Sequence, residues 1–378
     1  MGFHRTRELT FILGNKCNIS CTYCYPGEYK YGSLKLDLRF AKKGISDFLV
    51  EEKLIPLNKI RYFAVGEPTV EFNLMKQIHE YVNERVVIRE SKQIRSEIQT
   101  NGVFGEEVAK WIGNNIDVIC ISCDGPPDLQ NKQRPFRNGT STSKIIERNV
   151  GILRQYSIDV GMRPTITSFS NNVLLMKEII DYGKSIGFDY IYFHPMIPQQ
   201  GPHIRRKDGN PYAVNPIDFA MNYVEAWEYA NKKGIFLGNH FTINFDEESE
   251  IYCRACLPSP QLTLDGYVSC CDEALYGSSE YDGDRFKDLI IGKYDQETNE
   301  IILFWDRIKK LKEKRNVLNM DQCKDCDIAL NCGGGCLGEA LFAYGSPFVK
   351  LSDDFCIAMK HLARNIPRNK GLFRYMHP

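Results

Sequence analysis

The stretch Leu9-Thr-Phe-Ile-Leu-Gly-Asn-Lys-Cys17-Asn-Ile-Ser-Cys21-Thr-Tyr-Cys24 joins an apolar segment to a loop with three cysteines. The apolar segment is typical of a buried β-strand. A four-iron cluster needs four ligands, so three thiolates leave one iron open, and an open metal position is where chemistry takes place. No fourth Cys or His lies within the loop to close a zinc site, although a zinc knuckle or three unrelated thiols are alternative interpretations. The stretch predicts a reactive cluster directly after a strand.

Strand-like and helix-like segments alternate along the first two thirds of the chain, which indicates a parallel sheet of right-handed βαβ units. Strands are predicted at residues 9–13, 60–65, 96–99, 118–123, 160–167 and 190–195, and helices at 37–50, 74–87, 105–113, 144–156, 174–186 and 216–233. Six strands are too few for a closed eight-stranded barrel. We therefore expect an α/β fold, a partial (β/α)6 TIM-like barrel with its site at the C-terminal strand ends. The pattern changes near Gly234, which predicts one domain over residues 1–234 and another over 235–378.

The spacing Cys17-x3-Cys21-x2-Cys24, with the aromatic Tyr23, resembles the signature of the radical S-adenosylmethionine (SAM) enzymes. In that family the amino and carboxylate groups of SAM chelate the open iron. An electron from the reduced cluster then cleaves the sulfonium and yields a 5′-deoxyadenosyl radical. The resemblance implies that the three thiols hold a [4Fe-4S] cluster, that SAM is a cofactor and that Tyr23 lies near it. The cofactor supplies the chemistry, and the protein supplies binding and exclusion of side reactions.

Gly66-Glu67-Pro68 directly follows the second predicted strand. It resembles the Gly-Gly-Glu-Pro segment of the family, which contacts the methionine amino group. Val65 replaces the first glycine, a departure that bears on the local backbone path. A glycine permits close backbone approach, and a proline fixes the turn. The resemblance implies that Gly66, Glu67 and Pro68 bind SAM.

Polar residues also end the next three predicted strands. Asn101 lies in a Thr-Asn-Gly segment, and Ser122 and Asp124 lie in Ser-Cys-Asp-Gly, both similar to family segments near SAM or substrate. Arg163 matches a position where family members place a basic residue against the SAM carboxylate, for which a guanidinium is a bidentate partner. The alternatives are a turn residue for Asn101, a cap for Asp124 and a surface ion pair for Arg163.

Nine of the 14 cysteines lie between Cys253 and Cys356. In a reducing compartment such clusters indicate metal ligands or catalytic groups. The block Cys-x2-Cys-x5-Cys-x3-Cys over residues 323–336, with the cysteines around it, resembles the SPASM domain of peptide-modifying radical SAM enzymes. The resemblance implies a small α+β cysteine-rich domain with two auxiliary clusters, hence three [4Fe-4S] clusters in all. One would be held by Cys253, Cys256, Cys271 and Cys336, and the other by Cys323, Cys326, Cys332 and Cys356. Cys270 is an alternative to Cys271, and two structural zinc sites are an alternative to both clusters.

The resemblance covers nearly the whole chain and implies an oxidoreductase. We expect a maturase of ribosomally synthesised, post-translationally modified peptides (RiPPs). It would abstract hydrogen from a peptide residue and leave a thioether or carbon–carbon cross-link. In the similar sulfatase-maturing enzymes, an Asp at the place of Asp272 is proposed to take a proton from the substrate; a hydrogen bond within the cluster loop is the alternative. Three other functions remain open: formylglycine formation by a sulfatase-maturing enzyme, a small-molecule radical dehydrogenase, and a non-catalytic metal or electron-transfer protein.

The amino-acid composition limits the kinds of partner that we expect for this protein. Lys plus Arg and Asp plus Glu both number 48, so no net field favours nucleic acid or an anionic membrane. No apolar run is long enough to span a bilayer, and no signal-type stretch precedes the first strand, so we expect a cytoplasmic protein. The expected partners are a peptide or protein substrate and a low-potential electron donor of flavodoxin or ferredoxin type. With the first strand so near Met1, leader recognition would need a separate protein or the catalytic domain. Loops 125–142 and 198–215 follow barrel strands and would grip the substrate.

Overall fold

One twelve-stranded sheet runs through the part of the chain that the computed structural model describes, residues 7–24, 33–197, 210–245, 247–281 and 283–367. The strands are β1 (Glu8–Ile12), β2 (Lys59–Phe63), β3 (Arg95–Thr100), β4 (Val118–Ile121), β5 (Asp159–Met162), β6 (Thr165–Ile166), β7 (Tyr190–Pro195), β8 (Phe236–Asn239), β9 (Gln261–Leu262), β10 (Tyr267–Ser269), β11 (Ile290–Asp295) and β12 (Glu300–Leu303). From β1 to β5, and on to β7 and β8, neighbouring strands pair in parallel. Their C-terminal ends therefore meet at one edge, where the predicted site residues lie.

Helices cover the sheet and return the chain between parallel strands. They are α1 (Leu38–Gly44), α2 (Phe72–Val82), α3 (Glu106–Asn115), α4 (Pro127–Gln133), α5 (Ser143–Leu153), α6 (Val173–Ile186), α7 (Pro216–Lys233), α8 (Trp305–Lys314), α9 (Ala329–Cys332), α10 (Leu337–Tyr344) and α11 (Asp353–Asn365). The first two continue as wider π-helical turns over Ile45–Val50 and Asn83–Ile88. Among the described residues, no helix combines the length and apolar character that a membrane crossing requires.

The predicted fold class is confirmed, with two differences in detail. The strand predicted at 160–167 is divided into β5 and β6, because Pro164 lacks the N–H that a continuous ladder needs. In addition, β8 begins after residue 234 yet pairs with β7, so the parallel sheet continues beyond the predicted boundary. The boundary itself remains a prediction.

The cysteine-rich region is joined to the barrel through the sheet. Strand β9 pairs in parallel with the outer edge of β1, and β10, β11 and β12 follow in antiparallel order. Asp265 and Gly266 form the hairpin turn between β9 and β10, with Gly266 in the left-handed region at φ 82°. Helix α11 packs on α7 and connects the end of the described chain to the barrel. Four cysteines of this region, Cys253, Cys270, Cys271 and Cys336, thus lie at the same strand ends as the N-terminal loop.

Candidate active site

A cavity of about 280 Å³ lies at the C-terminal ends of the strands, and cysteines from both ends of the chain form part of its wall. The N-terminal loop contributes all three of its thiols, and the C-terminal region contributes Cys253, Cys270, Cys271 and Cys336. Of the predicted SAM-binding and catalytic residues, the wall includes Tyr23, Gly66, Glu67, Asn101, Ser122, Arg163 and Asp272. Pro68 and Asp124 lie behind it. The ligand and contact roles of these residues remain predictions.

Gly66 allows the cysteine loop to cross the end of β2. A Cβ atom at this position would lie 1.9 Å from the carbonyl oxygen of Lys16, an overlap that any larger residue would produce. The next residue, Glu67, donates its backbone N–H to that same oxygen at 2.7 Å. On its other side the loop is anchored to the end of α4, since the N–H of Thr22 donates to the Gln133 carbonyl at 2.9 Å. The spacing of the three thiols is therefore fixed from two directions.

The carboxylate of Glu67 is buried and supports the neighbouring strand end. It accepts hydrogen bonds from Oγ1 of Thr100 at 2.5 Å, the N–H of Asn101 at 2.7 Å and the N–H of Thr69 at 3.0 Å. Burial raises the pKa of Glu67, and these donors oppose that rise. The side chain of Asn101 in turn donates to Oδ1 of Asn18 at 2.7 Å. Glu67 and Asn101 thus connect the second and third strand ends to the cysteine loop.

Tyr23 and Asp124 form a buried contact beneath the cavity. The Tyr23 hydroxyl donates to Oδ2 of Asp124 at 2.6 Å and accepts from Nη1 of Arg134 at 2.6 Å. Asp124 also accepts from Nε2 of Gln133 at 2.9 Å and the N–H of Thr165 at 3.0 Å. Burial would lower the pKa of Arg134, but the neighbouring Cys21 thiol and Tyr23 keep it well above its ordinary value. A buried cation beside Cys21 suits a negatively charged thiolate.

Arg163, which the sequence analysis singled out, and two histidines, which it did not, form a polar part of the wall. Nη1 of Arg163 donates to Oε1 of Gln99 at 2.8 Å, and Nη2 lies 3.3 Å from Nδ1 of His194. No described carboxylate lies within salt-bridge distance of Arg163. The rings of His194 and His240 are 4.9 Å apart, and burial lowers the pKa of His240 to about 3, so both rings are neutral. His194 lies near the end of a predicted strand, and that position was the sequence signal that could have identified it as a site residue. No sequence signal pointed to His240.

Asp272 is held by two arginines at the edge of the cavity. It accepts from Nη1 of Arg61 at 3.1 Å, Nη2 of Arg254 at 2.7 Å and Nε2 of Gln261 at 3.0 Å. Both arginines also pair with the buried Glu8, at 2.9 and 3.2 Å. Burial acts to raise the pKa of Asp272, yet Arg61 and Arg254 hold it well below the usual range. The carboxylate is therefore ionised at neutral pH.

The C-terminal thiols lie in two groups. Cys253 hydrogen-bonds with Cys256 and is near Cys336 and Cys271, and these neighbours together with burial raise the pKa of Cys253. Burial raises the pKa of Cys332 to about 12, and the nearby thiols Cys356, Cys323 and Cys326 add to this effect. The thiols near Cys253 and those near Cys332 are the ones that the SPASM resemblance groups with them, and the assignment of ligands remains a prediction. No three Cys, His, Asp or Glu side chains of the described ranges are arranged to hold a single metal ion.

A buried cation and a run of three glycines lie beside the C-terminal thiols. Both features would help these thiols to hold an anionic cluster. Arg315 is fully buried and donates from Nη2 to the Gly334 carbonyl at 3.0 Å, while its Nε has no partner. A hydrogen bond from Cys253, helped by the charge of Arg315, lowers the pKa of Cys256 to about 6. Residues 333–335 all have positive φ, which lets the chain turn tightly between Cys332 and Cys336. Cysteine thiolates are the ligands of iron–sulfur clusters, and a buried cation beside them would offset part of a cluster's negative charge.

The sequence is similar to several radical SAM proteins. Residues 11–175 match the family model described as the Radical SAM superfamily. The chain is 26% identical over 345 residues to a cysteine-type anaerobic sulfatase-maturating enzyme of Clostridium perfringens, and the alignment covers 85% of each chain. It is 23% identical to the radical SAM cyclopropyl synthase TigE of Paramaledivibacter caminithermalis, over 98% of this chain and 76% of that one. An uncharacterized protein of Methanocaldococcus jannaschii, MJ0907, is 28% identical over 52% of this chain and 65% of its own length.

Solved structures share the fold. The structure described as native anSMEcpe with bound AdoMet and Cp18Cys peptide superposes with a TM-score of 0.69 at 19% identity, covering 94% of this chain and 95% of that one. Streptococcus suis SuiB bound to precursor peptide SuiA gives 0.64 at 13% identity, over 93% and 76%. The architecture is thus a partial α/β barrel followed by a cysteine-rich domain of SPASM type. Residues 11–175 thus carry a radical SAM domain, and the relatives of the chain include sulfatase-maturating and peptide-modifying enzymes.

Proposed function

We propose that the enzyme removes a hydrogen atom from a residue of a peptide or protein substrate and then accepts the remaining electron in its C-terminal region. The observation that supports this is the shared cavity wall, which includes Cys17, Cys21 and Cys24 together with Cys253 and Cys271. When bound, SAM and the reduced cluster supply the 5′-deoxyadenosyl radical. A substrate residue in the cavity would lie between the radical source and a second thiolate group that can take up its electron.

The side chains around the cavity have separable roles in this proposal. Arg163 would pair with the SAM carboxylate, since it lines the cavity and its guanidinium contacts neutral groups, Gln99, His194 and the Tyr192 ring. Gly66 would let the backbone approach the methionine end. Tyr23, Pro68 and Asp124 would act indirectly: Pro68 fixes the turn after β2, and the Tyr23–Asp124 contact supports the loop from below. Ser122 would contact SAM or the substrate.

Asp272 would take a proton from the substrate residue as that residue is oxidised. Its ionisation at neutral pH leaves it able to accept, and Arg61 and Arg254 fix its orientation. The same arginines make it a weak base, so proton transfer would depend on close contact with the substrate. The eleven predicted cysteine ligands would complete three [4Fe-4S] clusters, one at the radical source and two in the C-terminal region.

The product would be a thioether or carbon–carbon cross-link in a short peptide. The relatives include TigE, a cyclopropyl synthase, and SuiB has been solved with a precursor peptide, so peptide modification occurs on this fold. A low-potential electron donor would reduce the first cluster, and a leader, where the substrate has one, would be recognised by a separate protein or by the catalytic domain. Residues 198–209, including the basic triplet at 205–207 that could contact an acidic leader, lie outside the described residues.

Formylglycine formation is the second candidate. It is favoured by the similarity to a cysteine-type sulfatase-maturating enzyme over 85% of both chains. The cavity and Asp272 serve this reaction equally well, because it also begins with hydrogen abstraction beside a heteroatom.

Incubation with candidate peptides, SAM and a reductant, followed by mass spectrometry, tests the proposal. A cross-link removes two hydrogens per bond and leaves no aldehyde, whereas formylglycine reacts with a hydrazide probe. An unchanged peptide mass for both precursor-type and sulfatase-type peptides, with 5′-deoxyadenosine still released, would contradict peptide oxidation.

A further inference from the structure

A second groove, of about 620 Å³, lies on the outer surface of the cysteine loop. Its lining includes Lys16, Cys17, Asn18, Val70, Phe136 and Arg137. Cys17 is the one residue that lines both this groove and the active-site cavity. Cys17 therefore lies between the active-site cavity and this part of the outer surface.

We propose that this groove, here called the Cys17 groove, is the docking surface for an acidic one-electron carrier protein that reduces the first cluster. The inference rests on the proposed function, because only an enzyme with a cluster at Cys17, Cys21 and Cys24 needs electrons there. The reduced carrier gives up one electron, and the cluster gains it; no covalent bond forms or breaks. Docking at the groove would leave the cavity available to SAM and the substrate throughout this step.

The charges of the groove match an acidic partner. Lys16 and Arg137 are exposed on its rim, and none of its described lining residues is acidic. The nearby carboxylate of Glu71 is buried and lies 3.0 Å from Nζ of Lys35, so it does not offset the two rim charges. Rim charges of this kind accelerate encounter with a partner of opposite sign and specify its orientation. This local positive surface occurs on a chain with no net charge.

The centre of the groove is suited to close contact. Val70 is 38% exposed and Phe136 is half-buried, which provides a small apolar patch between the two cations. An apolar centre with a polar rim is the usual composition of a protein interface. The position of the loop is also fixed, because Nη2 of Arg137 lies 3.4 Å from the carbonyl oxygen of Cys17. A docked carrier would thus be separated from the Cys17 thiolate by the loop backbone alone.

Charge reversal with two kinds of reductant tests the inference. We would compare Lys16→Glu, alone and combined with Arg137→Glu, with Lys232→Glu, a matched exposed lysine near the end of α7. Helix α7 runs antiparallel to the strands, so Lys232 lies at the opposite end of the barrel. For each variant, 5′-deoxyadenosine release is measured with reduced flavodoxin and with dithionite, and binding of oxidised flavodoxin to the reconstituted enzyme is measured by titration at low and high salt.

We expect Lys16→Glu to weaken flavodoxin binding about tenfold at low salt. The ratio of flavodoxin-driven to dithionite-driven cleavage should fall in parallel. High salt should reduce the difference from wild type, since it screens surface charges, and Lys232→Glu should behave as wild type. Equal binding and an equal rate ratio in wild type, Lys16→Glu and the double variant would overturn the inference. Absence of cleavage with dithionite in wild type would instead contradict the proposed function.

Discussion

Nη2 of Arg254 lies 2.7 Å from Oδ1 of Asp272 and connects the cavity edge to the buried start of β1. Replacing Asp272 with Asn should lower the free energy of unfolding by about 1–3 kcal/mol, because the guanidiniums of Arg61 and Arg254 would lose a charged partner. Product should also fall relative to 5′-deoxyadenosine if Asp272 accepts the substrate proton. Chemical denaturation and the product-to-nucleoside ratio measure the two effects. Asp288→Asn, which removes an exposed ion pair with Lys310, is the control. An unchanged ratio would exclude Asp272 as the proton acceptor.

Glu8 should make stability depend on pH at the acid end. Burial would raise its pKa, but Arg254, Lys59 and Arg61 lower it from the ordinary 4.5 to about 2. The unfolded chain therefore takes up this proton at a higher pH than the folded protein, so the stability due to Glu8 is complete above about 4.5 and is lost as the pH falls toward 2. Glu8→Gln should cost about 3 kcal/mol at neutral pH, the scale for breaking a buried ion pair. Urea unfolding of both proteins should show this gap narrowing below pH 4.5. A gap that is constant with pH would contradict the assignment.

The N-terminal thiols should be separable from the C-terminal ones. The triple variant Cys17→Ala, Cys21→Ala and Cys24→Ala should release no 5′-deoxyadenosine yet keep about eight irons, because two sets of four thiols remain. Iron and sulfide analysis after anaerobic reconstitution measures this. Wild type should bind about twelve irons under the same conditions. Loss of all iron would mean that the three sites form as a unit, and two zincs per chain would favour the structural-metal alternative.

Cys270 and Cys271 offer a matched pair within the C-terminal region. Both thiols line the cavity, but Cys271 is the one whose charge acts on Cys336, a predicted ligand of the same cluster. Cys271→Ser should therefore lose about four irons, whereas Cys270→Ser should lose none. Electron paramagnetic resonance of the reduced proteins should lack one auxiliary signal in the first variant only. The reverse pattern would assign the ligand to Cys270.

The local sequence was sufficient to predict the strands and helices of the barrel. It was insufficient to predict the ion pairs in the barrel's interior. Strands such as β4, Val-Ile-Cys-Ile, are apolar runs of the kind that a parallel sheet buries on both faces. Strand β2 contains Lys59 and Arg61 and was still identified, yet the partner of Arg61, Asp272, is 211 residues away and no local pattern could indicate it. The two thiol sets follow from the resemblance to the SPASM domain rather than from any local pattern, and they remain predictions. The pairing of His194 with His240 depended on β8, which the sequence did not reveal as a strand of the barrel.

The pairing of β9 with β1 has a consequence for synthesis. As the chain leaves the ribosome, the outer edge of β1 stays open until residues 261–262 have emerged, some 250 positions later. During that interval the nascent barrel presents unpaired backbone groups beside its cysteine loop, the kind of edge on which chains aggregate. A truncated gene product that ends before β9 would keep that edge permanently. Truncated chains or fusion proteins that end near residue 234 should therefore be insoluble. The full chain pairs the outer edge of β1 with its own strand β9.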